Sequence, residues 1–240
     1  MKLKFIGTKG YIKEKSGCHS LHSSLLVSYY GKKVMIDCGE DWLGKIRKVS
    51  PEAIIITHAH PDHVWGLKKG APCPVYATRD AWKVIKDYPI EHKNQIRINV
   101  PKKIKGMVFK AFRVIHSTRA PAVGYRITAG GATIFYVPDV VYIPGRKKAL
   151  KDIQVYIGDG ATIERSMIRK PGDKLIGHAS IRTQCTWCKR ENVRRAFFTH
   201  CGSEIVKGPR KKIDKTVKRI GKERGVVVSI ACDGYKAILR

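Results

Sequence analysis

The sequence lacks long apolar runs, has few acidic residues and carries an odd number of cysteines. No stretch approaches the roughly 18 uncharged apolar residues that a membrane-spanning helix needs. Residues 1–7 read as a first strand and not as the apolar core of a signal peptide. Seven cysteines spread over 240 residues argue against a disulfide framework and agree with a reducing compartment. We therefore expect no membrane segment and a cytoplasmic protein.

The shortage of acidic residues leaves a large excess of positive charge. Lys and Arg number 48 and Asp and Glu number 19, for a formal charge of +29. Heat adaptation raises Glu together with Lys, so it does not account for an excess of one sign. A polyanionic partner accounts for it more simply, because phosphate backbones release condensed counterions when cations bind them. RNA or single-stranded DNA is the expected partner, and a basic surface common to all proteins of the same cell is the alternative.

The order of the elements predicts a layered α/β protein. A hydrophobic content of 43% fits one domain over residues 1–240. Short β-rich runs separated by turns and short helical patterns dominate the first two thirds. From residue 181 a helix, a strand, a long helix over residues 209–222 and two closing strands follow. The long helix has one apolar face, and lysines and arginines cover the rest. This order indicates stacked sheets with helices outside.

Four potential metal ligands lie within six residues, after a buried-looking strand and before a helical pattern. They are His58, His60, Asp62 and His63. A loop that leaves a strand can turn alternate side chains toward one point, so one pair can serve one ion and the next pair its neighbour. Imidazole nitrogen and carboxylate oxygen suit zinc and related first-row metals. Polar groups this close to a core strand are costly unless something satisfies them.

This H-x-H-x-D-H run resembles the signature of the metallo-β-lactamase superfamily, and further parts of the family pattern follow in order along nearly the whole chain. The resemblance implies a four-layer αββα sandwich that binds two divalent ions at one edge, zinc first, with manganese or iron as alternatives. It implies seven metal ligands: His58, His60 and His116 for one ion, Asp62, His63 and His200 for the other, and Asp139 between them. Asp62 is also expected to act in catalysis. Asp37 is implied to orient a ligand histidine through its other ring nitrogen.

Further residues favour the phosphodiesterase and nuclease branches of the superfamily. Asp139 and His200 disfavour true β-lactamases, whose pattern usually has Cys or Ser in place of the bridging carboxylate. His178 resembles the extra histidine of RNase Z-like and cyclic phosphodiesterase members, which assists the leaving group. Asp159 resembles the acidic residue that holds that histidine. A histidine with a carboxylate behind it can act as a general acid on an alkoxide leaving group.

The sequence departs from RNase Z between the bridging aspartate and the extra histidine. RNase Z carries a long arm that grips tRNA, whereas this stretch has room for a short insert only, so the pattern does not support specific tRNA 3′ processing. The insert contains a basic loop over residues 165–174. Five cations are expected to contact nucleic acid, two in this loop and three on the long helix: Arg169, Lys170, Lys211, Lys215 and Lys218.

Two other features are interpreted as structural. Cys185 and Cys188 form a C-x-x-C within a helical pattern, without a second such pair, so we expect buried packing and not a zinc site. His22 can edge the pocket, but a surface or loop position is the expectation for it.

The combined expectation is a binuclear metal-dependent hydrolase that cleaves phosphodiesters in nucleic acid, as a nuclease does. Three alternatives stay open: a phosphodiesterase for small cyclic phosphates, an ester, lactone or thioester hydrolase, and a non-catalytic nucleic-acid-binding module. The full ligand set counts against the last, because structural zinc sites are usually closed and mononuclear. The metal used in the cell and the oligomeric state stay open.

Overall fold

Two seven-stranded sheets form the centre of the molecule in the computed structural model, which describes residues 1–239. The first sheet contains β1 (Lys2–Gly7), β2 (Ser24–Tyr29), β3 (Lys32–Ile36), β4 (Ala53–Ile55), β5 (Val75–Ala77), β6 (Lys93–Gln95) and the final strand, β16 (Lys236–Ile238). The second contains β7 (Pro101–Ile104), β8 (Met107–Val114), β9 (Ala122–Ala129), β10 (Ala132–Tyr136), β11 (Val155–Asp159), β14 (Arg195–Thr199) and β15 (Val227–Ile230). A separate hairpin consists of β12 (Met167–Arg169) and β13 (Ile176–His178).

Short helices cover the outer face of each sheet. The first sheet is covered by α1 (Ile46–Val49), α2 (Pro61–Val64), α3 (Arg79–Val84) and the 3-10 turns Glu40–Trp42 and Trp65–Leu67. The second sheet is covered by α4 (Arg146–Leu150), α5 (Ile181–Arg190), α6 (Ser203–Lys207) and α7 (Arg210–Lys222). Within the described residues, no helix combines the length and apolar character that crossing a membrane requires.

The side chains divide into three apolar layers because successive residues of a strand point to opposite faces. In β4, Ala53 and Ile55 pack between the two sheets, whereas Ile54 packs against the outer helices of the first sheet. The third layer lies between the second sheet and its helices. The predicted four-layer αββα sandwich is therefore confirmed.

Strand direction brings the candidate site residues to one edge. β3 and β4 are parallel, as are β10, β11 and β14. β8 runs in the same direction as β10, because each is antiparallel to β9. The carboxyl ends of these strands carry the following residues: Asp37, His58, His116, Asp139, Asp159 and His200. Residues separated by more than 160 positions thus meet at one end of the sandwich.

The long C-terminal helix agrees with its prediction. It begins at Arg210, one residue after Pro209, and ends at Lys222. Ile213, Val217 and Ile220 are buried on one face. The lysines of the other face are exposed. The sequence pattern missed several strands, β5, β6 and β11 among them, which have three to five residues each.

Within the described residues five cysteines are free, and the other two form a disulfide that the sequence analysis did not anticipate. Cys18 and Cys232 form a disulfide across a sequence separation of 214. The two meet because β16 pairs with β1 and places the C-terminal segment beside the loop that follows β1. The guanidinium of Arg210 lies 3.2 Å from the sulfur of Cys232. Cys185 and Cys188 are free and buried in α5, in agreement with a packing role.

Candidate metal centre

Three imidazole rings converge at the carboxyl ends of β4 and β8. Nδ1 of His60 lies 3.0 Å from Nε2 of His58 and 3.2 Å from Nε2 of His116. Burial lowers the pKa of His60 to about 4 and the pKa of His58 well below its usual value, so both rings are neutral near neutral pH. Neutral imidazole is the form that binds metal. The three nitrogens can therefore hold one ion.

In His116 and His58, contacts at Nδ1 leave Nε2 free to act as an acceptor toward the cluster. Nδ1–H of His116 donates to the carbonyl oxygen of Gly177 at 2.9 Å. Thr57 Oγ1 donates to Asp37 at 2.8 Å and lies 3.0 Å from Nδ1 of His58, so it can accept the proton on that nitrogen. Gly177 has a φ of +118°, and a Cβ there would lie 1.9 Å from a backbone oxygen of the facing strand. The carbonyl position thus depends on glycine.

A second cluster lies beside the first and combines imidazole with carboxylate. Oδ2 of Asp62 is 2.9 Å from Nε2 of His200 and 3.3 Å from Nε2 of His63. The other ring nitrogen of His63 donates to Oδ2 of Asp37 at 2.9 Å. This hydrogen bond leaves Nε2 of His63 for a ligand. These residues can hold a second ion.

The carboxylate of Asp139 lies between the two clusters. Its Oδ2 is 2.6 Å from Nε2 of His63 in the second cluster and 3.5 Å from Nε2 of His58 in the first. Its Oδ1 is 3.2 Å from Nδ1 of His200. Burial raises the pKa of Asp139, but the neighbouring histidines, His200 first, outweigh burial and hold it well below the usual value. Asp139 is therefore a carboxylate placed to reach two ions.

Several buried polar atoms of the second cluster lie close to one another but lack partners in hydrogen-bond geometry. Among the described residues these include Nε2 of His63, both carboxylate oxygens of Asp139 and Nδ1 of His200. Burial lowers the pKa of His63, but the carboxylates around it, Asp62 first, raise it well above the usual value. The cluster therefore favours positive charge at its centre. A divalent cation would satisfy the orphaned atoms, which would otherwise be costly to bury.

The backbone is held in the left-handed region at two residues of the site. Asp37 has a φ of +64° and His200 a φ of +55°. Such conformations are uncommon for residues other than glycine and concentrate at functional sites. Both residues follow strands directly, so the left-handed turn bends the side chain back toward the edge where the clusters lie.

His178 and Asp159 form a pair next to the second cluster. Nδ1 of His178 is 2.8 Å from Oδ2 of Asp159 and 3.2 Å from Oδ1 of Asp139. The His178 side chain is 22% exposed, which makes it the accessible member of the pair. Burial lowers its pKa, but Asp159 and Asp139 outweigh burial and raise the pKa to about 11. His178 therefore carries a proton at neutral pH.

Sequence reasoning missed Gln184, which positions the aspartate behind His178. Its side-chain oxygen accepts from the backbone N–H of Asp159 at 2.9 Å and from the hydroxyl of Tyr156 at 2.9 Å. Its side-chain nitrogen donates to the carbonyl oxygen of Asp159 at 2.7 Å. The signal in the sequence was weak: a single amide on the face of α5 that also carries Cys185 and Cys188.

His22, expected in a surface or loop position, lies in the loop between β1 and β2 but is buried. His22 is 4% exposed, and its Nε2 lies 3.0 Å from Nζ of Lys9, which is itself 2% exposed. Asp41 lies 3.0 Å from Nδ1 of His22 and 3.4 Å from Nζ of Lys9. A buried lysine is tolerated here because its three donors meet Asp41, His22 and a backbone carbonyl.

The five candidate nucleic-acid contacts lie outside the metal clusters. Arg169 and Lys170 are exposed on the hairpin of β12 and β13, and the three lysines of α7 are exposed on its outer face. The two surfaces are neighbours, because Arg219 of α7 donates to Glu164, just before the hairpin, at 2.9 Å.

Comparison with known proteins places the chain in a family. Residues 32–201, more than half of the chain, match the family model described as the β-lactamase superfamily domain. The chain therefore belongs to this superfamily. Its fold and its His and Asp clusters define a metal-dependent hydrolase of the metallo-β-lactamase fold, with a set of residues that suggests a dinuclear divalent metal site.

Among curated proteins, the chain is similar to ribonuclease Z of Methanococcus maripaludis, with 29% identity over 153 residues, 52% of this chain and 48% of the relative. Ribonuclease Z of Alkaliphilus oremlandii is 44% identical over 50 residues, 19% of this chain and 16% of the relative. The matches thus span less than half the length of these relatives.

Solved structures share the fold over nearly the whole chain. The metallo-β-lactamase fold protein YhfI of Bacillus subtilis has a TM-score of 0.75 at 18% identity, covering 98% of both chains. A diphosphatase of the PhnP family has a TM-score of 0.74 at 21% identity, covering 98% of this chain and 96% of its own. The short form of human tRNase Z has a TM-score of 0.69 at 18% identity, covering all of both chains.

Proposed function

We propose that the chain is a two-metal phosphodiesterase that hydrolyses nucleic acid and uses zinc. The position of Asp139 carries the proposal, because one carboxylate lies within reach of both clusters. A carboxylate in this position could contact two ions, and a pair of ions would suit clamping the attacking and leaving oxygens of a phosphate. Imidazole and carboxylate donors without thiolate fit zinc, and they also fit manganese or iron.

Two bound divalent ions would supply a water activated as nucleophile and would stabilise negative charge on the phosphate. The chain itself orients the reacting groups. Asp37 and the carbonyl of Gly177 fix the rings of His63 and His116 so that each presents Nε2 to the centre. Asp62, at the edge of the second cluster, accepts a hydrogen bond from the attacking water and orients it toward phosphorus.

His178 donates a proton to the leaving oxygen. Its Nδ1 is held by Asp159, which leaves Nε2 for the departing group. An alkoxide is a poor leaving group and needs this proton, whereas a nitrophenolate does not. The pair therefore suits esters of aliphatic alcohols, among which are the ribose esters of nucleic acids.

The choice of nucleic acid rests on charge. The net charge of +29 exceeds what a small neutral ester or a lactone requires, and it matches a polyphosphate backbone. The hairpin with Arg169 and Lys170 begins at the site itself, because Met167 pairs with His178 in the register of β12 and β13. A strand whose phosphate lies at the metals can thus continue along a cationic surface toward α7.

A side-by-side assay of metal-analysed protein tests the proposal. The substrates are bis(p-nitrophenyl) phosphate, single-stranded RNA and DNA, a cyclic nucleotide, a lactone and a β-lactam, with Asp139→Ala as the inactive control. We expect hydrolysis of the diester and of at least one nucleic acid. Hydrolysis of the cyclic nucleotide alone would favour the small-molecule phosphodiesterase, and hydrolysis of the lactone alone would reject phosphodiester chemistry.

A further inference from the structure

A pocket of about 380 Å³ opens beside His178 and His200, and its lining is mainly apolar. Tyr11 and Met167, 59% and 50% exposed, stand at its mouth, and Gly10, Ala161 and Gly202 also line it. Ligand pockets of this size hold small organic groups. The metal clusters do not account for this space, because none of these apolar residues offers a ligand atom.

The pocket lacks the lysines and arginines that are abundant in the rest of the chain: within the described residues, no Lys or Arg side chain lines it, although the protein carries 48 of them. Its one acidic residue is Glu204, whose Oε2 accepts from the backbone N–H of Ile163 at 3.2 Å. A carboxylate repels a second phosphate and can accept a hydrogen bond from an amino group. The pocket therefore suits an uncharged group attached to the phosphate.

His178 lines the pocket and is also the residue proposed to donate the proton to the leaving oxygen. A proton passed from His178 goes to the leaving oxygen, so the group attached to that oxygen lies on the same side as His178. The pocket is thus located where the body of the leaving group must go.

The segment that carries Tyr11 is fixed relative to the site. The backbone N–H of Gly10 donates to the carbonyl oxygen of Cys201 at 3.0 Å, directly after His200. Nζ of the buried Lys9 donates to the carbonyl oxygen of Ile12 at 3.1 Å. Tyr11 is therefore an exposed aromatic ring on a firmly held segment, which is the kind of platform on which nucleobases stack.

We propose that this pocket binds the nucleobase of the leaving nucleoside, with the ring of Tyr11 stacked on the base. The assignment deepens the proposed function and rests on it. An aromatic ring, a mainly apolar interior and the carboxylate of Glu204 fit a planar base. A cyclic phosphate that carries no base would leave Tyr11 without a role.

Uridylyl-(3′→5′)-uridine and two analogues, each with one base removed, test the pocket. Mass analysis of the products identifies which ribose oxygen is released. We expect loss of the base on the released nucleoside to lower kcat/KM by about tenfold, and loss of the other base to change it little. Tyr11→Ala should lower kcat/KM on the intact dinucleotide by the same factor and have no effect on the analogue that lacks the leaving base. Tyr11→Phe keeps the ring and should keep the rate.

Tyr30→Ala is the matched control, because Tyr30 is an exposed tyrosine, 88% accessible, in the turn between β2 and β3. It should leave all three rates unchanged. Equal loss in Tyr11→Ala on intact and abasic substrates would overturn the stacking assignment while the nuclease proposal stands. If bis(p-nitrophenyl) phosphate is hydrolysed and no dinucleotide is cleaved, the nucleic-acid substrate and the base pocket fall together.

Discussion

Nδ1 of His178 lies 2.8 Å from Oδ2 of Asp159, and the same carboxylate oxygen accepts from the backbone N–H of Val140 at 3.0 Å. One buried carboxylate thus fixes the histidine that faces the pocket and the turn that carries Asp139. The relationship explains why an acidic residue stands at the end of a fully buried strand, where a charge without partners would be costly.

His178→Ala should separate proton donation from metal binding. We expect the variant to keep its metal content and to lose about 100-fold or more in kcat on substrates with alkoxide leaving groups. On p-nitrophenyl esters the loss should be small, because nitrophenolate leaves without a proton. Parallel measurement on a dinucleotide and on bis(p-nitrophenyl) phosphate checks this. Equal losses on both would remove the general-acid role.

Asp37→Asn should weaken metal binding without disturbing the fold. Asparagine tolerates the left-handed backbone found at this position, so the change removes charge and keeps the turn. Loss of the carboxylate that orients His63 should lower the affinity for the second ion by about 10- to 100-fold, as measured with a chelator in competition. Asp87→Asn, a substitution outside the site, is the control. Unchanged affinity in Asp37→Asn would contradict the orienting role.

The α7 lysines should contribute to binding of nucleic acid but not to hydrolysis at the metals. With Lys211, Lys215 and Lys218 replaced by Gln, the slope of log affinity for single-stranded RNA against log salt should flatten by about 2. The three side chains are exposed, so hydrolysis of bis(p-nitrophenyl) phosphate should stay nearly the same. An unchanged slope would mean that these three lysines do not contact the nucleic acid.

The buried His19 should make the protein sensitive to acid. Burial lowers its pKa from the ordinary 6.5 to about 4, so the folded state keeps the ring neutral while the unfolded state takes up a proton. Its contribution to stability is present above about pH 6.5 and is lost as the pH falls through about 4. Urea unfolding of metal-depleted protein at pH 7 and pH 5 should show that His19→Gln loses about 1 to 2 kcal/mol less than wild type over this range.

His92→Gln provides the comparison for the acid experiment, since the His92 side chain is 62% exposed. It should follow the wild-type dependence on pH. If His19→Gln also follows it, the stability change in acid comes from other groups.

The metal ligands that are neighbours in the sequence could be predicted from the sequence alone. His58, His60 and His63 follow one strand within six positions, and Pro61 begins the short helix after them. His116 and His200 could be assigned only from their order within the family pattern. The structure brings all of them to one edge, because the strands that carry them point the same way.

The rest of the site depends on contacts between distant segments. Cys18 and Cys232 are 214 positions apart, and only the pairing of β16 with β1 brings them together. Gln184 acts on Asp159 because α5 packs on β11, a strand that the sequence pattern missed. His22 lies in a loop but is buried, and the buried Lys9 that contacts it lies thirteen positions earlier. No local periodicity encodes these contacts.

Titration of metal-depleted protein with zinc, followed by the initial rate on bis(p-nitrophenyl) phosphate, tests the central claim most directly. With two clusters joined by Asp139, activity should rise until about two ions are bound per chain and then level off. Asp139→Ala should bind one ion fewer and stay nearly inactive at every point. Full activity with one ion per chain, or wild-type metal content in Asp139→Ala, would contradict the dinuclear account.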